Sequence, residues 1–156
     1  MQTVVNLYPS AAVAGDRAGL EPIVTTPINY TAEDSAIKVG NFVFAGSDDG
    51  LAASTGSTVL GFVVRDLNNA IFDLTAEGTL AIPQYNTVTV ATEGDFWAET
   101  VDAATVGQKA FASTSDGSIT AGDAGGAVDG YTETNFVFKT AADAGELAII
   151  GTWGVR

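Results

Sequence analysis

The chain has no cysteine and no histidine. The first absence removes disulfides, thiolate nucleophiles and the sulfur ligands of zinc sites; the second removes the commonest general base and metal ligand. Ser54, Ser57 and Ser113 therefore have no imidazole to activate them. Basic side chains are scarce too: six Lys and Arg stand against nineteen Asp and Glu, a net charge of −13. A field of that sign repels nucleic acid and anionic membranes. Solubility is its simplest use, and a basic partner surface is the functional alternative. Long apolar runs are also missing. Leu147 to Trp153 is the most apolar uncharged stretch, far short of the ~20 residues a membrane-spanning helix needs. Met1-Gln2-Thr3 opens no basic and then apolar leader. The expectation is a soluble protein made in the cytoplasm, with no nucleic-acid or membrane partner.

What is present points to strands. The 156 residues are 46% hydrophobic and only 16% charged, rich in Gly, Ala, Thr and Val, too apolar for disorder and too poor in Lys, Glu and Leu for a helical bundle. "IKVGNFVFA" (37–45), "TVLGFVVRD" (58–66), "NAIFDL", "GTLAIP", "NTVTVA", "TNFVFKT" and "GELAIIGTWGVR" read as short strands separated by Gly, Asp and Pro. Alternation along 58–66 puts Val59, Gly61 and Val63 on one side and Leu60, Phe62 and Val64 on the other. The last strand is apolar on both faces, as a central strand is. "AGDAGGAVDG" (121–130) reads as a flexible linker, and "MQTVVNLYPSAAVAGDRAGLEP" as an extended arm. The expected architecture is all-β, an antiparallel β-barrel or sandwich, with residues 1–22 as the arm and 23–156 as a single β domain.

One pattern occurs twice. "VGNFVFAGSDDG" (Val39–Gly50) and "VGQKAFASTSDG" (Val106–Gly117) share Val-Gly, Phe-Ala and Asp-Gly at an offset of 67 residues. Each reads as a strand and a hairpin-type Asp-Gly turn, with Phe44 or Phe111 as the apolar anchor. A Gly after Val marks a bulge or a close backbone approach. The same unit used twice predicts pseudo-symmetry.

Candidates for chemistry are few. Asp48-Asp49 and Asp123 with Asp129 lack the spaced ladder of a calcium loop, so no metal or cofactor is expected. Glu93, Asp95 and Glu99 around Trp97 resemble the carboxylates and platform of a glycosidase or carbohydrate-binding site, yet a turn at Gly94 interrupts their register. Phe96 and Trp97 fall on opposite sides of a strand, so one enters the core and the other covers an edge or an interface. Core packing is the simpler reading of Trp97, and an interface the sharper one.

Several stretches resemble a known family: "MQTVVNLYPSAAVAGDRA", "GFVVRDLNNAIF", "GDFWAETVDAATVGQKAFASTSDGSI" and "GELAIIGTW", in that order along the chain. They are similar to the structural cement, or capsid decoration, proteins of tailed bacteriophages. Met1 to Val4 with Tyr8-Pro9 and Gly15-Asp16, and Gly94 to Trp97 with Val106 to Ala110, carry the resemblance most specifically; 24–36 and 121–131 carry none of it. The resemblance implies a non-catalytic virion protein on the exterior of an icosahedral head. Its partners would be the major capsid protein and itself, as a homo-oligomer (trimer favoured, dimer conceivable). The interface candidates are Val4, Val5, Leu7, Tyr8, Pro9 and Asp16 of the arm, together with Trp97. A tail or fibre β module and a carbohydrate-binding module are the alternative readings.

Overall fold

The computed structural model describes residues 12–66 and 80–154, which contain twelve β-strands and no α-helix. They are β1 (Val24–Thr25), β2 (Tyr30–Ala32), β3 (Phe42–Ala45), β4 (Leu51–Ala53), β5 (Val59–Val63), β6 (Thr87–Val88), β7 (Val90–Glu93), β8 (Asp95–Glu99), β9 (Lys109–Ser113), β10 (Ile119–Gly122), β11 (Tyr131–Phe138) and β12 (Leu147–Gly151). Seven form one sheet, in the order β1-β7-β5-β3-β4-β2-β6, and five form the other, in the order β10-β9-β11-β12-β8. Of the two architectures open to the sequence, the chain takes the sandwich. All pairings are antiparallel except β2 with β4. The segment "NAIFDL" lies outside the described residues.

Two apolar cores follow from this layering. Between the sheets lie Phe42, Phe44, Phe62, Phe96, Phe136, Phe138 and Ile150. Phe62 stacks on Phe96 with ring centroids 5.0 Å apart, and Phe42 meets Phe136 edge-on at 5.3 Å. On the other side of the seven-stranded sheet, Ile37, Val43, Val63, Ile82, Val88 and Val90 form a second core. The sheet curls around it, because one stretch of chain supplies β6 against β2 at one end and β7 against β5 near the other. It stops short of a closed barrel.

The two copies of the repeated motif are the β3–β4 and β9–β10 hairpins, one in each sheet. The backbone bonds at their Val-Gly entry correspond. Gly40 N–H donates to the Val63 carbonyl and Val63 N–H to the Asn41 carbonyl; Gly107 N–H donates to the Phe138 carbonyl and Phe138 N–H to the Gln108 carbonyl. Gly40 and Gly107 both sit at positive φ, 88° and 94°. The copies stack front to back. Val43 faces the second core and Phe44 the inter-sheet core, whereas Ala110 faces the inter-sheet core and Phe111 points away from it. Phe111 is buried instead beneath the loop after β10: a Cβ at Gly122 would lie 2.7 Å from its ring and 3.1 Å from Val128. The predicted linker 121–130 is thus partly strand and partly a cover, tied down by Gly125 N–H donating to Glu133 Oε2 at 2.9 Å.

Strict alternation fails in β5. Val43 pairs with Gly61 but Phe44 pairs with Val59, a β-bulge that puts Val59, Phe62 and Val64 against one core and Leu60 and Val63 against the other. Gly61 permits it, since a Cβ there would stand 2.4 Å from the Ala91 carbonyl oxygen. The final strand does lie inside its sheet, between β11 and β8, with Ala148 and Ile150 buried.

Two carboxylates lock loops onto this frame. Burial raises the pKa of Asp34, but donors from Ser54 and from the Ala36 and Ile37 amides outweigh it and hold the group below the usual carboxylate value. Burial likewise raises that of Asp116, and the Ser118 and Ser113 hydroxyls, the Ser118 amide and the charge of Lys38 bring it below. A depressed folded pKa contributes stability above the unfolded value, about 3.9, and loses it as pH falls through the folded value. Unfolding free energy, measured by urea titration, is therefore expected to drop as pH falls below about 4. Asp34→Asn and Asp116→Asn together should flatten that limb, and an unchanged slope would remove these groups from the account.

Candidate functional site

Among the described residues, no three His, Cys, Asp or Glu side chains converge as metal ligands would. Asp48 and Asp49 lie in an exposed turn, where the Asp49 amide donates to Asp48 Oδ1 at 2.9 Å. Asp123 and Asp129 are exposed in the loop over Phe111. The carboxylates around Trp97 are not brought together. Glu93 ends β7 in one sheet and Asp95 begins β8 in the other, because Gly94, at φ 143°, turns the chain between them. Asp95 is buried against Lys139, with Oδ2 at 2.7 Å from Nζ, while Glu99 is exposed.

Phe96 takes the core position, fully buried between the sheets, and Trp97 occupies the opposite face of β8. There Trp97 is half-buried beside Ile149, its cross-strand partner on β12. The plain-core reading therefore belongs to Phe96, since successive residues of a strand point to opposite faces.

Asp16 is engaged within the chain. Its Oδ2 accepts the Val13 N–H at 3.0 Å and its Oδ1 lies 3.1 Å from Arg65 Nη1. The backbone around it covers the outer edge of β8: Gly15 N–H donates to the Trp97 carbonyl, Trp97 N–H to the Asp16 carbonyl, and Ala18 N–H to the Asp95 carbonyl. Arg65 N–H donates to the Gly15 carbonyl, so this one glycine links the end of β5 to β8 and joins the two sheets. A Cβ on Gly15 would stand 2.4 Å from Val39 Cγ1. Farther on, Trp153 Nε1 donates to the Pro22 carbonyl at 2.9 Å. Residues 13–22 are therefore tied to the β domain at several points. Val4, Val5, Leu7, Tyr8 and Pro9 lie outside the described residues.

The structure also exposes side chains that the sequence reading passed over. Leu20 is 98% and Tyr85 78% exposed, and Val106, Ile28 and Val101 are about half exposed. Tyr85 occupies the turn after Pro83; proline followed two residues on by an aromatic ahead of Asn86 was the available signal. These side chains lie on turns and bends outside the strands, where a rigid scaffold commonly presents binding residues.

Comparison with known proteins gives this scaffold a context. A model of the structural cement protein family (E217 gp24/Pam3 gp6) matches residues 1–152. A chain from the capsid of Myoviridae phage XM1 is similar in fold, with a TM-score of 0.69 and 17% identity, over 97% of this chain and 96% of that one. The head fibre gp8.5 N base of bacteriophage phi29 is more distant, at 12% identity over 83% of this chain and 93% of that one, with a TM-score of 0.46, too low to establish a common fold. No curated protein matches the chain. Since the family match runs almost end to end, across both hairpins and the segment that joins the sheets, this chain belongs to the phage structural cement proteins, and its role is a structural one in stabilising the capsid.

Proposed function

We propose that this protein binds the exterior of an icosahedral head and bridges neighbouring major capsid subunits, without catalysis and without a cofactor. The family match over residues 1–152 carries the reading. The architecture supports it. A cementing protein needs a stiff body, and here two apolar cores and a backbone stitch between sheets supply one. It acts as a homo-oligomer, with a trimer favoured over a dimer by lattice symmetry, so that modest contacts multiply through effective concentration. It is made in the host cytoplasm and ends on the virion surface.

Within this reading the arm is an interface element, lying across a capsid subunit or a sister protomer and using Val4, Val5, Leu7, Tyr8 and Pro9. Trp97 adds to the contact surface from β8, and Asp16 holds the arm's base through Arg65. The useful truncation ends at residue 11, because residues 13–18 also cover β8 and join the sheets. Co-sedimentation with mature heads stripped of this protein provides the test. The full chain should bind saturably and restore resistance to heat. The chain lacking residues 2–11 should melt within about 2 °C of the full chain yet lose most head binding. Unchanged binding would assign the interface to the β domain alone, and a full chain that binds no heads would move the protein to the tail or fibre.

A further inference from the structure

Among the described residues, Tyr85 is the only non-glycine at positive φ, 69°. It holds the third place of the turn Pro83–Asn86, closed by the Asn86 N–H donating to the Pro83 carbonyl at 3.2 Å. That conformation favours glycine or asparagine, because an L side chain there crowds its own backbone. The surroundings impose it. Tyr85 N–H donates to the Ala32 carbonyl at 2.9 Å, Ala32 N–H to the Asn86 carbonyl at 2.8 Å, and Gln84 Nε2 to the Glu33 carbonyl at 2.7 Å. The ring itself stands mostly in solvent. A latched turn that holds a large aromatic out in water, in a backbone state its residue type disfavours, has the form of a binding anchor. Tyrosine suits that task, offering wide contact area for little rotamer entropy.

We infer that Tyr85 anchors this protein in an apolar pocket rimmed by Lys or Arg on the capsid shell, an inference that rests on the capsid reading above. The rim's chemistry follows from the neighbouring loops. Ser47 donates its amide and hydroxyl to the Glu33 carboxylate, bringing the Asp48–Asp49 turn alongside. Segments 33–37, 46–50 and 83–86 together carry Glu33, Asp34, Asp48 and Asp49, while the one basic residue of the β2–β3 connection, Lys38, places its charge by Asp116. An aromatic tip among carboxylates complements a basic rim, through charge and through cations over the ring face.

Stripped heads titrated with wild type, Tyr85→Asn and Tyr85→Phe, at low and high salt and beside melting curves, test this. Asparagine accepts the left-handed φ, so Tyr85→Asn should melt at, or up to about 2 °C above, the wild-type temperature. It should nevertheless bind heads at least about tenfold more weakly, with Tyr85→Phe within about threefold of wild type. Wild-type binding should weaken with salt. Tyr85→Asn binding as wild type overturns the anchor. So does Tyr85→Asn melting more than about 5 °C lower, since the ring would then be packing within the fold. Salt-insensitive binding overturns the basic rim. Wild type that binds no heads refutes the capsid reading and the anchor with it.

Discussion

Gly117→Val is expected to destabilise the protein by about 4 kcal/mol, a large share of the ~5–15 kcal/mol that holds a domain folded. Three effects combine. Gly117 sits at φ +70°, where a β-branched residue is strained by about 1–2 kcal/mol. A Cβ there would stand 2.0 Å from the Phe42 carbonyl oxygen, which is backbone and cannot swing away. Moving Gly117 would also break the hydrogen bond that Phe42 N–H donates to its carbonyl at 2.9 Å, worth about 1 kcal/mol. The equivalent glycine of the first hairpin supplies the control. Gly50 has φ +83° and open space where a Cβ would be, so Gly50→Ala should cost only about 1 kcal/mol. Urea unfolding of the two variants reads the contrast directly. Equal costs would mean that the second turn does not press on β3.

The next largest effect is expected at Lys139. Its ammonium and the Asp95 carboxylate are only 19% and 11% exposed and lie 2.7 Å apart. That contact is made by Asp95 Oδ2, and the buried Oδ1 has no hydrogen-bond partner among the described residues. Lys139→Met would strand a buried carboxylate, at a cost of about 3 kcal/mol or more. Adding Asp95→Asn should recover a good part of that loss, because the stranded charge is then gone. The Arg65–Asp16 pair, at 43% and 31% exposed, gives the comparison: in high dielectric, Arg65→Ala should remove less than about 1 kcal/mol of ion-pair energy. A double-mutant cycle at each pair, followed by urea titration, separates the cases. A coupling at Lys139 no larger than at Arg65 would show that burial contributes nothing to the first pair.

Much of the fold is legible in the sequence where local chemistry is decisive. Asp49-Gly50 and Asp116-Gly117 mark turns because glycine tolerates positive φ, and both glycines adopt it, at 83° and 70°. The repeat announces one hairpin used twice, and the two share the backbone bonds at their Val-Gly entry. Phe96 and Trp97 separate to opposite faces as the pleat requires. The site was less legible. Asp16 and Trp97 carry specific sequence signals, but their partners Arg65 and Ile149 are 49 and 52 residues away, at distances no local pattern encodes. Tyr85 escaped notice because its significance lies in a φ angle enforced from β2.

Composition, charge and turn dipeptides alone determined an all-β, acidic chain with a duplicated hairpin, without the residues for thiol or imidazole chemistry, because each depends only on residue type or on near neighbours. Tertiary structure decided what depends on distant neighbours. It chose a sandwich with one curled sheet over a barrel, through a single segment feeding both β6 and β7. It broke the alternation of β5 at Gly61, where β7 comes too close for a Cβ. It stacked the two hairpins front to back, so that Phe44 entered the shared core and Phe111 needed a loop to cover it, although the two residues hold the same place in the same motif. A shared local pattern sets similar hairpins, but which face is buried depends on what the rest of the chain lays against it.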